Sequence, residues 1–305
     1  MERVISGGEL ADIINCGLAA GSGEFKKIVA HLATPEVVVE GGATTLPDDA
    51  SQYRDNVFPE VILIPLAHLF DKPADVFDEL LQFARAQPLR PLSQHYLVLF
   101  EWLTSRAGKT IWIERSGGFI ANLPELIELF PDAKFLHLHR NPLDVALSMQ
   151  RHNHFRLRAF KYYDLQTADG IRWSDLDETD LNNTLPTSPR LQSILEHPVP
   201  LDYFLEEVSD SVLRGMKEIK KLTPQQYSEV SFEELMSDTE SSLRDLADFF
   251  ELPCDQEWLD KAIALLRQGQ ASHATPDAEQ AALLAKYCHA IMVLLGYAPP
   301  VELHR

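Results

Sequence analysis

The sequence predicts an α/β fold: a parallel central sheet flanked by helices, with a helical C-terminal third. Three observations point there. Strand, helix, strand and helix patterns alternate from Thr110 to Met149. A further strand pattern, Tyr227–Phe232, runs straight into Ser231-Phe-Glu-Glu234, whose spacing is that of a helix capping box. Beyond Leu243 the apolar residues recur at helical spacing. In chain order, residues 8–32 read as two short helices around Gly21-Ser22-Gly23, and residues 41–60 as a loop rich in Gly, Thr, Pro and Asp. Val61-Ile-Leu-Ile64 is a short apolar run that reads as a buried strand. Val76, Phe77, Leu80, Leu81 and Ala84 mark a helix over Asp75–Arg85, and another is expected over Ser93–Arg106. Thr110–Glu114 is a strand candidate, Ala121–Phe130 a helix, and Lys134–His139 a second strand. Asn141-Pro142 then opens a helix through Met149. Residues 164–200 are polar and proline-bearing, and are expected to form a surface insertion or lid on a single domain spanning 1–305. Helices follow over Leu201–Leu222, Leu243–Phe250, Trp258–Leu266 and Ala278–Leu295.

Composition narrows the function classes. The chain has 305 residues, 45% apolar and 24% charged, an ordinary balance for a folded globular protein. Its 27 basic and 46 acidic residues give a net charge of −19. Such a chain is not expected to bind nucleic acid non-specifically, since that affinity comes from basic side chains meeting phosphates. Any anion it binds must meet a local basic island. The three cysteines, Cys16, Cys254 and Cys288, lie far apart and outline no disulfide framework. The N-terminus lacks the apolar core of a secretion signal, and the longest apolar stretch, Val61–Phe70, is too short to span a bilayer. A reducing, cytoplasmic setting is expected.

The basic island lies where the second strand passes into its helix. Ligands of parallel sheets gather beyond the carboxyl ends of the strands, and a helix N-terminus there favours an anion. Arg140 adds a guanidinium fork that matches phosphate geometry. Ser148, two helical turns further on, is placed to offer a hydroxyl to the same anion. From His139 to Lys161 five basic residues, Arg140, Arg151, Arg156, Arg158 and Lys161, are opposed only by Asp144. The structural alternative is an arginine paired with a neighbouring acid and a serine bonded within its own helix.

These residues resemble a known family. Phe135-Leu-His-Leu-His-Arg-Asn-Pro-Leu-Asp-Val-Ala-Leu-Ser148 is similar to the 3′-phosphate-binding motif of sulfotransferases that use 3′-phosphoadenosine-5′-phosphosulfate (PAPS). Its core is matched at Arg140, Asn141, Pro142, Asp144 and Ser148. Trp112-Ile-Glu-Arg-Ser-Gly-Gly118 and Leu129-Phe-Pro-Asp-Ala-Lys-Phe135 resemble segments that precede it in the family. Val230-Ser-Phe-Glu-Glu-Leu235, Ser242–Pro253 and Leu295-Gly-Tyr297 resemble segments that follow it. The resemblance implies a P-loop NTPase-like sulfotransferase fold and transfer of a sulfuryl group from PAPS to a hydroxyl or amine. It implies that Arg140 and Ser148 hold the 3′-phosphate of PAPS or of the product PAP. Ser6-Gly-Gly-Glu9 resembles the segment that supplies the catalytic base in tyrosylprotein-type members, which makes Glu9 the candidate base. Arg115 stands where that group has a lysine thought to stabilise the transferring sulfuryl. The family opens with a strand and an Arg-Ser-Gly-Thr-Thr-like loop that cradles the 5′-phosphosulfate. That loop would precede Glu9, where this chain has only eight residues, so this unit is expected to be absent from the chain. Gly41-Gly-Ala-Thr-Thr45 has a similar composition but the wrong order, and reads as a turn.

Other candidates are weaker. His137 and His139 alternate with leucines and should share one face; with His152 and His154 they lack a carboxylate or cysteine at metal-ligand spacing, so no metal is expected. His68 is a candidate for lining an acceptor pocket, though a half-buried histidine is the plainer reading. The aromatics from Phe155 to Tyr163 suggest a partly apolar acceptor, a small molecule or a carbohydrate or lipid. Ser116-Gly-Gly118 lacks the pattern of a nucleophile elbow, and no GxxxxGK[ST] marks an NTPase. The contrasting class is a non-catalytic 3′-phosphonucleotide-binding or interaction protein that has lost the 5′-phosphosulfate loop.

Overall fold

A computed structural model describes residues 4–16, 66, 69–114, 119–176, 189–267 and 274–299. The chain divides into two compact units, Met1–Arg115 with Asn153–Pro198, and Ser116–His152 with Val199–Arg305. The class is α/β: helices form the majority, and the described residues include a small parallel sheet. The expected strand Val61–Ile64, the turn at Gly41–Thr45 and the second helix near Gly21–Gly23 lie outside the described residues.

In the first unit a short strand β1 (Val4–Ile5) pairs antiparallel with β2 (Arg90–Pro91). Helix α1 (Gly7–Cys16) begins immediately after β1 because Ser6 and Glu9 cap it reciprocally. The Ser6 hydroxyl accepts the Glu9 N–H at 3.2 Å, and the Glu9 carboxylate accepts the Ser6 N–H at 2.8 Å. Helix α2 (Pro73–Arg85) has Asp75 in its first turn and Arg85 in its last, each favourable to the helix dipole. Its Val76, Leu80, Leu81 and Ala84 are buried, as their spacing predicts. They pack in one cluster with Ile5, Leu10, Leu66, and with Leu99 and Leu103 of α3 (Leu92–Arg106). The α1 start meets the α2 end closely. Gly7 donates its N–H to the Gln87 carbonyl at 3.1 Å.

Thr110–Glu114, expected as a strand, is not one. Ile111, Trp112 and Ile113 are all exposed, and no described strand pairs with them. β-branched and aromatic residues favour a ladder only when a partner strand lies alongside. Trp112 stacks instead on Phe100, ring centroids 4.7 Å apart.

Helix α4 (Leu123–Leu129) opens the second unit, preceded by a 3₁₀ turn at Phe119–Asn122. Strand β3 (Phe135–His139) leads into α5 (Pro142–Arg151). Helix α6 (Asn153–Tyr163) returns to the first unit, burying Leu157, Ala159 and Phe160. Within the stretch expected as an insertion, a turn at residues 164–176 buries Trp173 and Leu176. Helix α7 (Pro189–Glu196) follows with Leu191 and Ile194 buried, and contacts α6. Two buried positions three residues apart are too few to stand out as a helical period in sequence.

The core of the second unit forms where α8 (Leu201–Ile219) packs on α5 and on α12 (Ala278–Leu294). Phe204, Leu205, Leu143, Ala146, Ile291 and Met292 are buried there. Strand β4 (Tyr227–Ser231) pairs parallel with β3, His139 opposite Ser231. Helices α9 (Phe232–Ser237), α10 (Thr239–Phe249) and α11 (Gln256–Arg267) follow, sharing a cluster of Val230, Leu235, Leu243 and Leu259. The parallel pair thus directs both strand ends, His139 and Ser231, to the same edge of the sheet.

Candidate functional site

Both β3 and β4 pass directly into helices at that edge. Asn141 caps α5: its side-chain oxygen accepts the Leu143 N–H at 3.0 Å, and Pro142 fills the first helical position. Ser231 caps α9 by accepting the Glu234 N–H at 3.0 Å. Arg140 is the residue between the β3 end and the α5 cap.

The Arg140 guanidinium bonds along its α5 side to Asp144, Nε at 3.3 Å and Nη2 at 3.2 Å from the same oxygen. The other Asp144 oxygen accepts the Ala274 N–H at 2.9 Å. Asp144 is buried, whereas the Arg140 side chain keeps 26% exposure. The guanidinium also lies over the Phe232 ring, 4.7 Å from its centroid. An acid four residues on and a ring from the neighbouring helix therefore both restrain its direction. Ser148 is exposed and lies four residues beyond Asp144, one turn further along the same α5 face. Arg140 and Asp144 thus meet at the start of α5, with Ser148 one turn beyond Asp144.

The α5 N-terminus differs from the open anion seat expected of it. The Asn141 N–H donates to the Glu233 carboxylate at 3.0 Å, the Leu143 N–H goes to Asn141, and Pro142 has none. The other Glu233 oxygen accepts the Tyr297 hydroxyl proton at 2.8 Å. That hydroxyl also lies 3.1 Å from His139 Nδ1. Burial, then the Glu233 acceptor, hold the Tyr297 phenol well above its ordinary range. Burial also lowers His139, against the pull of Glu229, Glu233 and Glu234. His137 shares the His139 face, ring centroids 5.3 Å apart, and burial followed by the His139 charge takes it down to about 4. An imidazole so desolvated is neutral at physiological pH.

A family model described as a sulfotransferase domain matches residues 119–279, more than half of the chain. The chain belongs to the sulfotransferase family. A second model, described as the sulfotransferase family, matches residues 50–185. A solved "Sulfotransferase Domain from the Curacin Biosynthetic Pathway" is similar at 15% identity and a TM-score of 0.43, over 79% of this chain and 80% of that one. No match was found among curated proteins. The family assignment makes sulfuryl transfer the general chemistry to test at the Arg140 turn.

Of the residues that sulfotransferase motifs single out, Arg140 and Ser148 fall on one helix-and-turn segment. Glu9 belongs to the first unit, where its carboxylate accepts from both the Ser6 N–H and the Ser6 hydroxyl, the latter at 3.0 Å. Arg115 and His68 lie outside the described residues, as does the His154 side chain. The basic run divides between the two units, with Arg140 and Arg151 in the second. Arg156 donates to the His197 carbonyl at 2.7 Å, Arg158 lies over Phe155 and Lys161 over Trp173, all in the first unit. Among the described residues no group of histidine, cysteine and carboxylate side chains is arranged to hold a metal ion, and no helix is long and apolar enough to cross a membrane. Sequence reasoning missed Glu233 and Tyr297. Both stand in segments that resemble the family, but nothing in their spacing shows that they meet.

Proposed function

We propose that the chain transfers a sulfuryl group from PAPS to a hydroxyl or amine of an acceptor, with Arg140 and Ser148 holding the cofactor's 3′-phosphate. The observation that carries this reading is the Arg140–Asp144 pair at the carboxyl end of β3, with Ser148 one turn further along α5. An arginine restrained by an acid and a ring presents its fork with less entropy to lose on binding. With the Asn141 and Leu143 amides already paired, recognition falls to these side chains.

In the reaction the acceptor oxygen or nitrogen forms a bond to sulfur as the bond from sulfur to the phosphate-bridging oxygen breaks, releasing PAP. Charge spreads over the equatorial oxygens, so positioning and electrostatics dominate, as in phosphoryl transfer. Glu9 would take the acceptor proton. Arg115 would steady the sulfuryl oxygens, a role that rests on the resemblance alone. A cytoplasmic setting and a small-molecule, carbohydrate or lipid acceptor complete the reading. A second reading, a 3′-phosphonucleotide-binding protein without transfer, is favoured by one observation: the Glu9 carboxylate is engaged in capping α1.

Calorimetry with PAP tests the shared core of both readings. Arg140→Ala should weaken binding at least tenfold, the worth of one charge-assisted hydrogen bond. Equal affinity in the variant and the unmodified protein would remove Arg140 from the site.

A further inference from the structure

Arg140 is flanked by two residues whose hydrogen bonds converge on one pair of side chains. His139, just before it, lies 3.1 Å by its Nδ1 from the Tyr297 hydroxyl. Asn141, just after it, donates its N–H to Glu233 at 3.0 Å. Tyr297 and Glu233 are themselves joined at 2.8 Å. The phenol has one proton, and an ionised carboxylate only accepts, so that proton goes to Glu233. His139 must then donate to the Tyr297 oxygen, which fixes its proton on Nδ1. The chain runs His139 Nδ1–H to Tyr297, Tyr297 O–H to Glu233, and Asn141 N–H to Glu233, closing a loop around the Arg140 backbone.

The sequence builds each arm locally. Glu233 sits in the first turn of α9, beside the Phe232 that faces the guanidinium. Tyr297 is delivered by the end of α12. Gly296 has φ of 76°, the Gly296 N–H bonds to the Val293 carbonyl at 3.3 Å, and the Tyr297 N–H bonds to the Met292 carbonyl at 2.8 Å. This is a Schellman closure, which glycine makes possible and which sets the direction of the following residue. The Tyr297 ring also meets the His139 ring edge-on, centroids 5.6 Å apart.

We propose that Tyr297 and Glu233 are positioning residues: by holding the His139 side chain on one side of Arg140 and the Asn141 backbone N–H on the other, they aim its guanidinium at a 3′-phosphate. This rests on the reading of Arg140 as the 3′-phosphate ligand. Neither residue touches the nucleotide. They act through the turn, and so govern the preference for a nucleotide bearing a 3′-phosphate over one that lacks it.

The test compares PAP with 5′-AMP by calorimetry in the full chain, its Tyr297→Phe and Glu233→Gln variants, and Arg140→Ala. Tyr297→Phe removes one oxygen and keeps the ring. It should reduce PAP affinity about tenfold and leave 5′-AMP unchanged. Glu233→Gln should move the same ratio in the same direction. A structural defect alone would weaken both nucleotides together. If Arg140→Ala loses the preference for PAP while Tyr297→Phe and Glu233→Gln keep it in full, the clamp is overturned and the phosphate reading stands. If the unmodified chain shows no preference for PAP, the phosphate reading falls and the clamp's role falls with it. Nitrogen-15 NMR of the unmodified protein near pH 7.5 decides independently of any variant's folding. His139 should carry its proton on Nδ1, and a proton on Nε2 would overturn the hydrogen-bond chain.

Discussion

Glu9 caps α1 and is the proposed base, two roles that different substitutions separate. As a cap it accepts the Ser6 N–H and hydroxyl, and a glutamine oxygen can still accept both, losing only the modest contribution of the charge. As a base it must take a proton, which a glutamine cannot. Glu9→Gln should therefore leave the thermal midpoint within a degree or two and lower PAPS turnover about 10²-fold or more. Glu9→Ala should add a stability loss of ~1 kcal/mol through the lost capping box. PAP release from PAPS with a simple phenol or alcohol as acceptor measures the first, and differential scanning calorimetry the second. Undiminished turnover in Glu9→Gln would assign the residue to capping alone and favour a different base.

Between elements, contact geometry overrides propensity at Gly7. Alanine is the better helix former by ~1 kcal/mol, and both Gly7 and Gly8 lie in the first turn of α1. A Cβ on Gly7, however, would stand 2.3 Å from the Gln87 carbonyl oxygen and 2.4 Å from that of Ala84. A Cβ on Gly8 would meet only the Ser6 hydroxyl, at 3.8 Å. Gly7→Ala should destabilise the chain by ~1–3 kcal/mol, since backbone at the α2 end must shift. Gly8→Ala should be neutral or slightly stabilising. Urea denaturation of the two variants side by side checks this, and equal midpoints would refute the close α1–α2 approach. The same contrast between local and distant causes explains what could be read from sequence. The β3–α5 turn was legible because Asn141 and Pro142 carry their own conformational instructions. So was α9, through the capping spacing at Ser231. Thr110–Glu114 was misread because strand formation depends on a partner, and composition cannot report one. Arg140 and Ser148 were legible as a motif, whereas Tyr297 and Glu233 meet across 64 positions, and Tyr297 and His139 across 158. No periodicity carries information over such separations.

Across the whole molecule, 46 acidic residues against 27 basic ones make self-repulsion the dominant long-range electrostatic effect. Several of the observed ion pairs are short-range and exposed, such as Arg244–Glu240 and Lys261–Glu257, each four residues apart on one helix. Pairs of this kind are individually weak, and because the partners lie close together moderate salt screens them only in part. Repulsion among the excess carboxylates acts over longer distances. The screening length falls from about 30 Å at 0.01 M salt to about 10 Å at 0.1 M, so salt weakens the distant repulsions before the close attractions. The thermal midpoint at pH 7 should therefore rise, by about a few degrees, as sodium chloride increases over that range. Repeating the series near pH 5 should shrink the rise, because partial protonation of carboxylates has by then removed part of the repulsion. Differential scanning calorimetry at fixed protein concentration reads both. A midpoint that falls with salt at pH 7 would mean that attractive pairs, not the excess of negative charge, govern how this fold responds to its ionic surroundings.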